Sequence, residues 1–173
     1  MKLLKISRFC TMIISLLSAP AAAQSAPAKP AVGFEQLKSL AGEWQGKSAD
    51  GRAVHVLYQL VSGGTALMER LSPAKEPEMM TMYSADGNRV AVTHYCSTNT
   101  QPQMKTQPIS SPMKEFAFSF VSATNLSGPD SGHMDSLVLV LDDVDHLTQR
   151  WTWKQKGQTK IEVFHLTRVT QVL

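Results

Sequence analysis

The feature that most constrains this chain is a hydrophobic period of two, repeated in short segments punctuated by turn residues. Val54, Val56, Tyr58 and Leu60 fall on one side of a stretch whose other side carries His55, Leu57 and Gln59, between the turn signals Asp50-Gly51 and Ser62-Gly63-Gly64. Glu78 to Tyr83 and Arg89 to Cys96 flank Asp86-Gly87, a strong local hairpin signal. Phe116, Phe118 and Phe120 share a face, as do Leu137, Leu139 and Leu141. Leu147, Gln149, Trp151 and Trp153 share the next, and Gln155 to Gln158 turns the chain into a last strand over Thr159 to Val169. The spacing predicts nine or ten short antiparallel strands, and no segment is helical for long enough to carry parallel crossovers. So many strands in one small domain must hide their edges. A closed barrel does so best, with a sandwich as the alternative. The expected fold is all-β: a single antiparallel barrel of about 8–10 strands.

Ahead of the first strand, Phe34, Leu37, Leu40 and Ala41 fall on one face of a short helix, with Gly42 where a helix stop belongs. The preceding stretch, 24–33, is rich in Ala and Pro and reads as a flexible lead-in. Residues 1–23 read as an export signal. Lys2, Lys5 and Arg8 precede a short apolar run from Phe9 to Leu17, then Pro20 and Ala21-Ala22-Ala23, with cleavage expected after Ala23. The apolar run is too short to span a bilayer. The sequence reading is therefore a periplasmic or secreted protein whose domain occupies 34–173.

Removing the signal changes the charge balance. It holds three of the 17 Lys and Arg and none of the 14 Asp and Glu, so the rest of the chain carries 14 of each sign. Neither that balance nor any basic run points to nucleic acid or acidic membranes. Cys10 leaves with the signal, and Cys96 alone cannot form an internal disulfide. Stability must come from a core, which about 150 residues can supply.

Leu40-Ala41-Gly42-Glu43-Trp44-Gln45-Gly46, a helix end running into Gly-x-Trp, resembles the opening of lipocalin-like (calycin) barrels. It is similar to the nitrobindin and fatty-acid-binding relatives and to exported bacterial domains with the same opening. The resemblance implies a helix closing one barrel end and an inward tryptophan beneath an arginine from a late strand. Trp44 and Arg168 fill those structural positions. Nitrobindin-like members hold haem on a histidine of the final strand. Here that position falls near Ile161, with His165 further along, so no cofactor is expected.

Val92-Thr93-His94-Tyr95-Cys96, followed by polar residues through Gln101 and Pro102, is the most unusual stretch, and similar segments occur in those exported relatives. On a strand His94 and Cys96 share a face and Tyr95 takes the other. One reading is a pocket wall of imidazole and thiol with the Asn99 and Gln101 amides at its rim. The plainer one is a buried cysteine acting as a small hydrophobe beside a satisfied histidine. Met79, Met80 and Met82 suit either a pocket for varied apolar ligands or an irregular core, and Met80 and Met82 share a face opposite Met79. Asp142-Asp143-Val144-Asp145-His146 lacks calcium-loop spacing and reads as a polar turn, so no metal is expected.

These readings converge on a barrel protein that binds a small apolar or amphipathic molecule without catalysis. The expected ligand-binding residues are Tyr58, Met82, His94, Cys96, Phe118, Trp151 and Trp153. The alternatives are an enzyme on the same barrel, with His94 assisted by Cys96 or Tyr95, and a protein-interaction module. The sequence leaves oligomeric state open, as it does whether the barrel is packed solid or hollow.

Overall fold

The computed structural model describes residues 31–170. The expected signal peptide, and residues 24–30 of the lead-in, lie outside the described residues. A helix, α1 (Val32–Leu37), continues into a 3-10 turn (Lys38–Leu40). It begins two residues earlier than the sequence period suggests, and Val32 and Gly33, expected in the lead-in, belong to it. Ten strands follow: β1 (Gly42–Ser48), β2 (Ala53–Val61), β3 (Ala66–Pro73), β4 (Met79–Asp86) and β5 (Arg89–Tyr95), then β6 (Gln101–Lys105), β7 (Glu115–Thr124), β8 (His133–Leu141), β9 (His146–Gln155) and β10 (Gln158–Arg168). Each strand pairs antiparallel with its neighbours in sequence, and β1 also pairs with β10, so the sheet closes into a barrel without an open edge. This is the expected all-β barrel with a short N-terminal helix.

Two strands were not visible as such. β3 carries Glu69 on its inner face, which breaks the apolar alternation. β6 lies in the segment read as polar turn, where Pro102 and Met104 face inward and the register shifts between Gln103 and Met104.

The helix closes the end of the barrel where β1 begins and β10 finishes. Phe34, Leu37 and Leu40 are buried there. Trp44 donates its indole N–H to the Leu40 carbonyl at 2.8 Å. The Arg168 guanidinium lies 4.2 Å from the Trp44 ring centroid, so the tryptophan sits against an arginine of the last strand. Arg168 also donates to the carbonyls of Ser39 (2.8 Å), Ala41 (3.0 Å) and Val144 (3.1 Å). One side chain thereby ties the end of the 3-10 turn and the β8–β9 turn to the barrel. Gly46 allows β1 and β10 to close tightly, since a Cβ at that position would sit 1.8 Å from the His165 carbonyl oxygen.

Arg168→Ala removes three hydrogen bonds to carbonyls and the ring contact together. We expect it to lower the unfolding free energy by about 2 kcal/mol in urea titrations. A change below a few tenths of a kcal/mol would show that the helix plug is held by its apolar contacts alone.

Candidate functional site

At mid-height the barrel interior is polar. Tyr58, Glu69, Thr81 and His94 stand opposite one another in register on β2, β3, β4 and β5. All four are buried. Tyr83 donates to Glu69 Oε2 at 2.5 Å, and Gln149 donates to Glu69 Oε1 at 2.6 Å. The Gln149 amide also donates to the Tyr58 hydroxyl at 2.6 Å. Its orientation is fixed, because Trp151 Nε1–H, which can only donate, reaches Gln149 Oε1 at 3.1 Å. Thr81 and Tyr58 stand beside Glu69 and also favour its charged form. Burial raises the carboxyl from its ordinary value, and these four neighbours pull the other way. Burial, reinforced by the charge of Glu69, pushes the phenols of Tyr58 and Tyr83 well above theirs, so both remain donors.

Above this layer, toward the end away from the helix, lies a partly enclosed cavity of about 290 Å³. Its apolar wall is Leu71, Met79, Met134, Trp151, Trp153 and Phe164, with His94 and Cys96 set into it. The mouth carries charge. Arg52 donates to Glu162 Oε1 at 2.9 Å and pairs with Glu76, and Lys160 stands at the same rim. Gly132 makes room for Trp153, whose ring carbon Cζ2 lies 2.2 Å from where a Cβ on residue 132 would be.

His94 joins the two layers. Its Nδ1 is 3.0 Å from Thr81 Oγ1, and its ring packs at 4.6 Å from the Trp151 ring. Among the described residues, His94 Nε2 is the one buried side-chain nitrogen or oxygen without a hydrogen-bond partner. Burial pushes the imidazole down to about 4. Cys96 is a free, buried thiol whose sulfur accepts a hydrogen bond from Thr98 Oγ1 at 3.1 Å.

Of the residues expected at a binding site, His94, Cys96, Trp151 and Trp153 line this cavity together. Tyr58 and Phe118 face inward but belong to the packed part of the barrel, where Tyr83 stacks edge-on to Phe118 at 5.9 Å. Met82 is on the other side of the sheet. The inner face of β4 is Met79, Thr81 and Tyr83, so Met79 is the β4 methionine at the cavity. Apolarity misassigned that face because its middle residue is a threonine. Tyr95, 48% exposed, points away from His94 and cannot assist it. Asn99 and Gln101 do not line the cavity: the Asn99 carbonyl and the Gln101 side chain bond to Asn125.

The final strand offers no inward histidine. Ile161 is 57% exposed and His165 lies on the outer face, while Phe164 and Leu166 point inward. The residues of β10 therefore do not fit haem ligation. The acidic segment after β8 is a turn. Asp143 Oδ1 accepts from the Asp145 and His146 backbone N–H groups at 2.8 Å, which, with the His146 ring, holds its carboxyl below the ordinary value.

Glu69, Thr81 and Gln149 were not singled out from sequence. A lone Glu in an unassigned segment gives no hint of burial, and Gln149 showed only as a polar residue on the Trp151 face. The chain matches no protein-family model and no curated protein, so the geometry is what bears on function.

An unfolded histidine titrates near 6.5, whereas His94 when folded does so near 4. Its contribution to stability is complete above about 6.5 and is lost as pH falls toward 4. Glu69, raised by burial, has the opposite sign in its own range: its contribution is fullest at low pH and declines as pH rises through its folded value. The two are separated by comparison with His94→Gln. Between pH 7 and pH 5 the wild-type protein should lose about 2 kcal/mol of unfolding free energy that the variant does not lose. Parallel pH profiles would contradict the buried neutral imidazole.

Proposed function

We propose that this chain is an exported protein that binds a small, mainly apolar molecule in the open half of its barrel, without chemical turnover. The observation that carries the reading is the cavity of about 290 Å³ walled by two tryptophans, two methionines, Phe164 and Leu71. Its volume is at the lower end of ligand pockets, which suits a compact molecule rather than a long chain. The thioethers adapt to varied shapes and the indoles supply large apolar area. The charged mouth orients an amphipathic ligand with its apolar body inward.

The same geometry speaks against acid–base catalysis. A general base works best with a pKa near the operating pH. His94, held near 4, is a weak base, and among the described residues no second titratable group bonds to its ring. The export reading rests on the sequence of residues 1–23.

Native mass spectrometry of the protein isolated from the periplasm or medium tests both parts. The expected result is a chain beginning at Gln24 that carries a small non-covalent adduct, lost in a Trp151→Ala/Trp153→Ala double variant. A chain still beginning at Met1 would overturn export. An adduct-free spectrum, together with no uptake of small aromatic compounds, would overturn binding.

A further inference from the structure

The pairing of β3 with β4 brings a third thioether to two that already share a face. The inward residues of these strands are Leu67, Glu69 and Leu71 on β3 and Met79, Thr81 and Tyr83 on β4, so Met68, Met80 and Met82 all stand on the outer face. Met68 lies directly opposite Met82, and Met80 precedes Met82 by two residues. Directly opposed residues have Cβ atoms about 4.5–5.5 Å apart, and diagonal ones, here Met68 and Met80, about 7–8 Å. Methionine has three rotatable bonds, enough for the three sulfurs to turn toward one point above that triangle. All three residues are half-buried. Strands favour β-branched and aromatic side chains, and here three neighbouring outward positions carry thioethers instead. In register, Arg70 and Tyr95 flank Met80, Thr93 flanks Met82 and Gln59 flanks Met68. Arg70 donates two hydrogen bonds of 3.0 Å to Glu78, which offsets its charge.

We propose that Met68, Met80 and Met82 form a binding site on the outside of the barrel for a soft monovalent metal ion of the Cu(I) class. Thioethers are soft, uncharged donors that select Cu(I), whereas carboxylate, carbonyl and water oxygens suit the hard divalent ions. Among the described residues, no group of three or more His, Cys, Asp or Glu is placed to hold a metal. The triangle is therefore a site for a soft ion and not part of a harder one. It lies on the opposite face of the sheet from the cavity, and it does not depend on the ligand-binding reading. Cys96, the free thiol, faces the cavity and takes no part in it.

The probe is silver(I), a redox-inert ion of the same charge and softness, titrated into purified mature protein labelled with carbon-13 at the methionine methyl groups. Cys96→Ala removes the competing thiol. In that variant the methyl signals of Met68, Met80 and Met82 should shift together and saturate at one equivalent of silver, while those of Met79 and Met134 stay in place. The unsubstituted chain should show the same three shifts, whether or not Cys96 takes a further equivalent. Zinc(II) at the same concentration should move none of them. Met82→Leu keeps the size and apolarity of the side chain. Outer-shell partners of metal ligands are worth roughly 10–100-fold in affinity, so loss of one sulfur from the triangle should weaken silver binding by at least about 10-fold. An unchanged amide spectrum away from β3 and β4 separates lost ligation from lost folding. Three methyl signals that stay still, or that shift at different silver concentrations, would overturn the proposal. So would a folded Met82→Leu variant that binds silver as tightly, or zinc moving the same three signals.

Discussion

Desolvating a carboxylate inside a barrel costs several kcal/mol unless its lone pairs are met, and Glu69 is fully buried. The groups whose hydrogen bonds hold it are neutral, the Tyr83 phenol and the Gln149 amide, drawn from β4 and β9. Those strands are remote in sequence and lie on different sides of the barrel. A network of this kind is stable only when every member is satisfied, because the low local dielectric that strengthens each bond also penalises each missing one. Glu69 therefore acts as a cross-tie at mid-height. It fixes Tyr83 and Gln149 directly, and through Gln149 it fixes Trp151.

This cross-tie divides the interior. Toward the helix the barrel is filled, with Trp44 and Arg168 locking the plug and Phe116, Phe118, Leu137 and Leu139 packed between. Away from it, Trp151 and His94 form a floor held from below, and the space above them stays open. Small barrels can be packed solid or can hold one small ligand. Here one chain does each in a different half. For the proposed binding role the rigid floor matters, because a pocket whose polar groups are already oriented loses little on ordering when a ligand enters.

Much of the architecture was legible in the sequence because strand alternation and turn residues are local signals. The hairpin around Asp86-Gly87 and the run of β7 to β10 could be read that way, whereas the pairing of Trp44 with Arg168 came from the resemblance to lipocalin-like barrels. The site was legible only in part. His94, Cys96, Trp151 and Trp153 stood out as unusual or large, and the fold brings them to one cavity. The polar layer was not legible, because a buried Glu and an exposed one look alike until the partners of Glu69 arrive from strands up to 80 residues away. The same blind spot misplaced Met82: counting apolar residues on β4 chooses the face of Met80 and Met82, whereas the network needs Thr81 and Tyr83 inside.

The central claim is that the upper half of this barrel is an accessible apolar cavity resting on a fixed polar floor. A crystal structure determined under xenon pressure tests it most directly. The account predicts xenon bound between Met79, Trp151, Trp153 and Phe164, with Glu69, Gln149 and Trp151 unmoved and the lower half empty of gas. Side chains collapsed into that space, or xenon bound only in the lower half, would contradict it.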